Sequence, residues 1–193
     1  MWQQILPGLR IKIFMTIVLG IAYPLVMTGI SQAIFPRQSN GSLVTVNGKV
    51  IGSELIGQNF TKPEYFHPRP SAAGNDGYDP MASGGSNLGP TNQKLIDRIK
   101  AAVNRFRQEN PDYHGPIPAD LLTTSASGLD PDISPDSALA QAARVAKARA
   151  VSVDEVNRLI AESTQQPTAG IFGEARVNVL KINLALDQRW PKQ

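Results

Sequence analysis

The chain has 193 residues, no cysteine, 41% hydrophobic and 18% charged residues, and a formal charge of +3. That length allows one ordinary domain and a little more, which excludes a multi-span channel joined to a large ATPase. Lack of cysteine excludes disulfide scaffolds, thiolate metal sites and cysteine nucleophiles, and charge spread along the chain leaves no nucleic-acid footprint.

The mean hydropathy of −0.18 suits a soluble protein, but the average hides one segment. From Ile13 to Pro36 there is no charged residue. A bilayer core ~30 Å thick needs about 20 helical residues, and this run is long enough. Pro24 would break a helix in water but is tolerated in a membrane helix. Gly20, Thr28, Gly29 and Ser31 are small residues that let helices approach closely in lipid. A cleaved signal peptide is the first alternative, with Ser31-Gln32-Ala33 as its exit, although the apolar run is long for a signal. A buried core helix is the second, and no face of the run is polar enough to meet water. The flanking charges tie, with Arg10 and Lys12 before the run and Arg37 and Lys49 after it. The short basic head favours an inside amino terminus and an outside domain. The expected organisation is a tail at 1–12, a transmembrane helix at 13–36, and an extracytoplasmic α+β domain at 37–193.

All 16 acidic residues and all but two of the 19 basic ones lie from Arg37 onward, so the domain is nearly neutral. Leu43–Val46, Asn47-Gly48 and Lys49–Ile51 predict a β-hairpin, because Asn-Gly supplies both positive-φ residues of a type I′ turn. His67 to Pro90 is rich in Gly, Pro, Ser and Asn and has no hydrophobic period. Tyr65, Phe66, Tyr78 and Met81 mark it as an ordered, irregular contact surface rather than a linker.

Thr91 to Gln108 reads as a helix with Leu95, Ile99, Ala102, Val103 and Phe106 on one face, Asn110-Pro111 as its stop, and its basic residues on a solvated face. Ser134-Pro135 opens a second helix. Ser152-Val153-Asp154-Glu155 is a capping box opening a third, which Gln165-Gln166-Pro167 closes. Val177 to Leu186 is expected as a partly buried strand, with a short helix as the alternative.

No catalytic constellation emerges. Ser125, Ser127, Asp130, Asp132 and His114 could suggest a triad, but neither serine has the preceding glycine of a nucleophile elbow. Asp130-Pro131-Asp132 reads as a turn ahead of the Ser134 cap. Gly84-Gly85 lacks the Lys and Ser/Thr that a phosphate loop needs. His67 and His114 are expected as surface or packing residues. On chemistry alone this is a membrane-anchored interaction domain.

Several motifs then occur in order: Tyr23-Pro24-Leu25 with Thr28-Gly29; Gly57-Gln58-Asn59-Phe60; Tyr65-Phe66-His67-Pro68-Arg69-Pro70-Ser71-Ala72; Ala82-Ser83-Gly84-Gly85-Ser86-Asn87-Leu88; Thr124 to Pro131; Gln141 with Arg144 to Arg149; and Val177 to Asp187. Together they cover most of the chain, which resembles the C subunit of the bacterial Kdp potassium-transporting ATPase. The resemblance implies an accessory, non-catalytic subunit of a high-affinity potassium importer in the bacterial inner membrane. Its implied partners are a potassium-translocating A subunit, an ATP-hydrolysing B subunit and a small single-span F subunit, besides membrane lipid. It implies a catalytic chaperone that raises the B subunit's affinity for ATP, with no tightly bound cofactor and no metal. It also implies Gln141 as a nucleotide contact, which makes a membrane-anchored module touching ATP directly the alternative function. ATP is cytoplasmic, and an outside domain would act on it only through the complex. The residues themselves make Gln141 a surface or packing glutamine. Tyr23, Pro24, Gly29, Arg69, Pro70, Ser83, Gly84, Gly85, Ser86 and Asn87 are the expected partner interface.

Overall fold

The computed structural model describes residues 2–191, which form two compact units, one up to Ile51 and one from Gly52. The first unit is dominated by a helix. It comprises α1 (Trp2–Ile17), a π-helical turn (Val18–Ala22) and α2 (Tyr23–Ile34). The run Gln3–Ile34 is 32 residues long, apolar enough to cross a membrane, and not buried against the rest of the chain. At 1.5 Å per residue it spans roughly 48 Å, more than a bilayer's hydrocarbon core. Residues 2–12, expected as a tail, therefore continue the helix.

The π turn has a local cause. Pro24 has no N–H, and its ring crowds the carbonyl four residues back, that of Gly20. The Tyr23 N–H donates instead to the Val18 carbonyl, five residues back. One wider turn ahead of the proline relieves the crowding without ending the helix. A short helix α3 (Pro36–Ser39) follows, then the hairpin of β1 (Leu43–Val46) and β2 (Lys49–Ser53). Asn47 and Gly48 take φ of 51° and 77°, as a two-residue primed turn requires.

The second unit is α+β. Its helices are α4 (Gln93–Glu109), α5 (Pro135–Arg149), α6 (Val153–Ser163) and α7 (Val179–Arg189). Its sheet has three short antiparallel strands in the order β3 (Asp132–Ile133), β5 (Arg176–Asn178), β4 (Thr164–Gln165). Ile133 and Thr164 both stand opposite Val177. The main core joins Phe66, Ile133, Val145, Val156, Ile160, Val177, Ile182 and Leu186. A smaller cluster of Phe106, Leu121 and Ala140, flanked by Tyr113 and Ile117, seats the end of α4.

The helix caps follow their sequence signals. The Ser134 side chain accepts from the Ser137 N–H, and Ser152 and Glu155 close a reciprocal box. Two further expectations are corrected. Helix α6 stops at Ser163, because Thr164 and Gln165 leave it to pair with β5. Val177 to Leu186 is strand only through Asn178, and the rest is helix α7. The Asn178 side chain accepts from the Lys181 N–H and caps the new helix. The broken alternation at Val179-Leu180 is this switch, after which Val179, Ile182 and Leu186 bury themselves at helical spacing. Asp130-Pro131-Asp132 is a turn in which the Asp130 carboxylate accepts from the Asp132 N–H, but Asp132 already begins β3.

Candidate functional site

The segment from Pro63 to Tyr78 is not a sheet strand, yet side chains satisfy its backbone as a sheet would. Asn183 on α7 accepts from the Phe66 N–H at 2.8 Å and donates to the Phe66 carbonyl at 3.0 Å. Gln141 on α5 does the same to the next residue, accepting from the His67 N–H at 2.8 Å and donating to its carbonyl at 3.2 Å. Two buried amides from two helices thus grip two consecutive peptide units. Arg144 donates through Nη1 to the Pro63 and Tyr65 carbonyls, and Arg149 through Nε to the Glu64 carbonyl. Arg149 also pairs with Asp187 at 2.7 Å, lies over the Tyr65 ring, and reaches the Trp190 carbonyl. The Tyr65 hydroxyl donates to the other Asp187 oxygen at 2.8 Å. Buried backbone groups left unpaired would each cost on the order of 1–3 kcal/mol, which is why an irregular segment needs these partners.

Further along, Ser71 Oγ donates to the Gly128 carbonyl and accepts from the Ala73 and Tyr78 N–H groups, while the Tyr78 hydroxyl donates to the Arg69 carbonyl. Burial pushes the Tyr78 hydroxyl up to about 12, against the pull of the Arg105 charge. Burial also lowers Arg144 to about 10, with Glu109 and Glu64 working the other way.

A cleft of about 150 Å³ opens beside this segment, lined by Asn59, Thr61, His67, Tyr78, Arg105 and Glu109, among others. His67 Nδ1 lies 3.3 Å from the Glu109 carboxylate, and Nε2 lies 3.1 Å from the Lys62 carbonyl. Burial lowers the His67 pKa first and the Arg144 charge next, while the Lys62 carbonyl and Glu109 oppose them.

Gln141 is 1% exposed. Its oxygen accepts from His67 N–H and from Arg144 Nη2, and its nitrogen donates to the carbonyls of His67 and Ser137. The amide's two donors and two acceptor positions are therefore used within the chain. Of the two readings of its sequence position, surface or packing, the structure gives packing. Arg69 forms an ion pair with Asp130 at 2.7 Å, and Pro70 lines the cleft.

Ser83 to Ser86 packs on residues 124–128. Ser83 Oγ and the Gly84 N–H donate to the Ser127 carbonyl, and Ser86 Oγ accepts from Arg98 at 3.1 Å and from Thr124 at 3.4 Å. A Cβ at Gly85 would stand 2.9 Å from the Ala126 carbonyl oxygen. Glycine here serves close approach of two backbones. Asn87 is exposed, with a φ of 49°. Tyr23 is 59% exposed, and a Cβ at Gly29 would meet nothing within 4 Å. The structure thus brings Arg69, Pro70 and Gln141 near one another around the gripped segment, sets Ser83 to Ser86 against residues 124–128, and leaves Tyr23, Pro24 and Gly29 on the exposed apolar helix.

Ser125 and Ser127 cap their own turn, accepting from the Gly128 and Leu129 N–H groups. His114 lines a separate surface pocket with Arg107 and Tyr113. Among the described residues no group of three or more His, Asp or Glu could hold a metal ion.

Sequence reasoning missed the roles of Arg144, Asn183 and Asn110, which accepts from Arg144 Nε at 3.0 Å. A signal for two of the buried amides exists. Gln141 is in helical phase with Ala138 and Val145, and Asn183 with Val179 and Leu186. A polar residue on an apolar stripe marks a buried hydrogen-bonding partner.

The model of the family described as "K+-transporting ATPase, c chain" matches residues 5–188. A protein of Caulobacter vibrioides named potassium-transporting ATPase KdpC subunit is 55% identical over 192 residues, covering 99% of this chain and 96% of its own. Like-named proteins of Beijerinckia indica and Myxococcus xanthus are each 53% identical, covering 100% and 98% of this chain and 98% and 90% of their own. The long apolar helix fits a single-pass membrane subunit of a transport ATPase. The chain belongs to the KdpC family, the c chain of potassium-transporting ATPases.

Proposed function

We propose that the chain is a non-catalytic, single-span accessory subunit of the potassium-importing ATPase complex of the bacterial inner membrane. It assembles with the potassium-translocating A subunit, the ATP-hydrolysing B subunit and the small F subunit, with its folded domain on the extracytoplasmic side. It raises the B subunit's affinity for ATP as a coupling through the complex, without touching nucleotide.

The observation that carries this reading is the exposed apolar helix Gln3–Ile34 in a chain of this family. Such a helix needs lipid or partner helices along its length. The spent hydrogen bonds of Gln141 support the indirect form, since a nucleotide contact there would first have to break bonds made inside the fold.

Two experiments test it. Affinity purification of the tagged chain in mild detergent should recover the large ATPase subunits, and their absence would sink the assembly role. The chain has no native thiol, so a single Asp136→Cys variant reports topology directly. Asp136 is exposed, whereas its neighbour Ser137 is fully buried. Labelling by an impermeant maleimide in spheroplasts is expected. Labelling only after lysis would overturn the extracytoplasmic assignment.

A further inference from the structure

Two Asn-Gly dipeptides follow the apolar helix in the sequence, Asn40-Gly41 and Asn47-Gly48, and both asparagines are exposed to water. Their hydrogen bonds differ. The Asn40 amide nitrogen donates to the Pro36 carbonyl at 2.6 Å, and the Gly41 N–H donates to the Gln38 carbonyl at 3.0 Å. The next N–H, that of Ser42, donates to the Arg37 carbonyl at 3.0 Å, and Ser42 is itself buried. Asn47 and Gly48 instead form the tip of the hairpin. Among the described residues, neither the Asn47 side chain nor the Gly48 N–H has a hydrogen-bond partner. The sheet that carries them has two strands, on which Leu43, Val46 and Val50 stand exposed. A two-stranded hairpin with so little cover is marginally stable, and its tip opens readily.

We propose that Asn47 is a site of spontaneous modification, converted by water to aspartate and isoaspartate, and that the fold shields the identical dipeptide at Asn40. The Gly48 nitrogen attacks Asn47 Cγ. A new N–C bond forms, the Cγ–Nδ2 bond breaks, and ammonia leaves with the proton that the Gly48 nitrogen gives up. Water then opens the resulting five-membered imide. Breaking its bond to Cγ gives aspartate. Breaking its bond to the Asn47 backbone carbonyl carbon gives isoaspartate, whose main chain runs through Cγ. Nothing is oxidised or reduced, and solvent is the co-reactant. Glycine after the asparagine favours the attack because it has no side chain to hinder the approach. Asn47 sits in the left-handed region, at φ of 51°. Ring closure needs the asparagine backbone to rotate away from that turn, so the reaction passes through the opened tip. Leaving the left-handed region also relieves the strain of a non-glycine residue there. At Asn40 the same rotation must first break the bonds to Pro36 and Gln38. The product changes the hairpin. Isoaspartate adds a carbon to the main chain of a two-residue turn whose length sets strand register, and either product puts a negative charge beside Lys49.

The test incubates the full chain in mild detergent at mildly alkaline pH and physiological temperature, once folded and once in concentrated urea. Trypsin releases Gln38 to Lys49 as a single peptide, so both sites are read from the same spectra. Fragment ions place the mass gain of amide becoming acid at 40 or at 47, and methylation of that peptide by protein isoaspartate methyltransferase reports the isoaspartate. In the folded chain, conversion at 47 is expected to outpace that at 40 by about tenfold or more. In urea the two rates are expected to agree within about twofold, because the local protection is gone. Equal rates in the folded chain, or a faster Asn40, overturn the proposal. Conversion of Asn47 confined to urea overturns it too, since the turn would then protect what it is said to expose. A preference for 47 that persists undiminished in urea overturns the fold as its cause.

Discussion

Replacing Gln141 with alanine separates a structural amide from a nucleotide contact. The substitution removes the partner of the His67 N–H and carbonyl, both in the buried grip on that segment, and of Arg144 Nη2. Two unsatisfied buried backbone groups cost roughly 2–4 kcal/mol together, and the void left by the side chain adds about 1. A loss of ~3–5 kcal/mol takes much of the 5–15 kcal/mol typical of a domain and lowers the melting temperature by about 10 °C. Gln141→Met keeps the volume and loses only the hydrogen bonds, so it is expected to cost ~2–4 kcal/mol. Urea unfolding of the full chain in mild detergent, in a Trp2→Phe background that leaves Trp190 as the sole tryptophan, measures both by fluorescence. A packing role for Gln141 is refuted if Gln141→Ala stays within about 0.5 kcal/mol of the parent while the ATP dependence of the assembled pump shifts. That pair of results would describe an amide free to meet nucleotide.

Gly128→Ala is expected to destabilise by ~2–3 kcal/mol or more, because φ is +68° and the new Cβ would stand 2.5 Å from the Gly84 carbonyl oxygen. Gly89→Ala, with open space around it, should leave the melting temperature unchanged. Gly29→Leu should leave the isolated chain's stability intact, since nothing lies within 4 Å of its Cβ, while reducing the yield of complex in co-purification. Equal yield would exclude Gly29 from a helix–helix contact. The lowered pKa of His67 means that the unfolded chain takes up a proton near pH 6.5 and the folded chain only at lower pH. Its contribution is therefore fully present above pH 6.5 and is lost as pH falls through the folded value. Thermal melts between pH 7 and 5 should decline more steeply for the parent than for His67→Gln, with Glu109, Arg144 and the Lys62 carbonyl setting the field at the ring.

The order of elements was legible wherever a short-range signal was complete. Asn47-Gly48, Ser134-Pro135 and the Ser152–Glu155 box each hold their whole cause within four residues, and each appears as expected. The exposed apolar helix was legible from its run of uncharged residues, but its start was not. Trp2 to Lys12 mixes Gln, Arg and Lys with Leu and Ile, and only continuation of the helical ladder recruits it. Val177 to Leu186 is ambiguous in sequence, strand or short helix, because both periods fit part of it. The decision lies in the side chain of Asn178, which caps α7 while donating to the Glu54 carbonyl and to Asp132, residues far away in sequence. No local window contains those partners.

The site was half-visible for the same physical cause. Tyr65 to Ala72 stood out as a motif, but nothing along it says that Phe66 and His67 are held by amides more than seventy residues downstream. A strand advertises itself by alternation, whereas a segment paired to side chains needs no pattern of its own, and its pattern is deposited on the helices that hold it. That is why a glutamine and an asparagine occupy apolar stripes of α5 and α7. Each loses solvation on burial and is compensated only if the segment sits in one register. A one-residue slip would leave the amides and guanidiniums facing wrong atoms. The polar grip thus does for Pro63 to His67 what a ladder does for a strand, and a domain with only three very short strands in its sheet can still hold a long irregular surface in a single conformation.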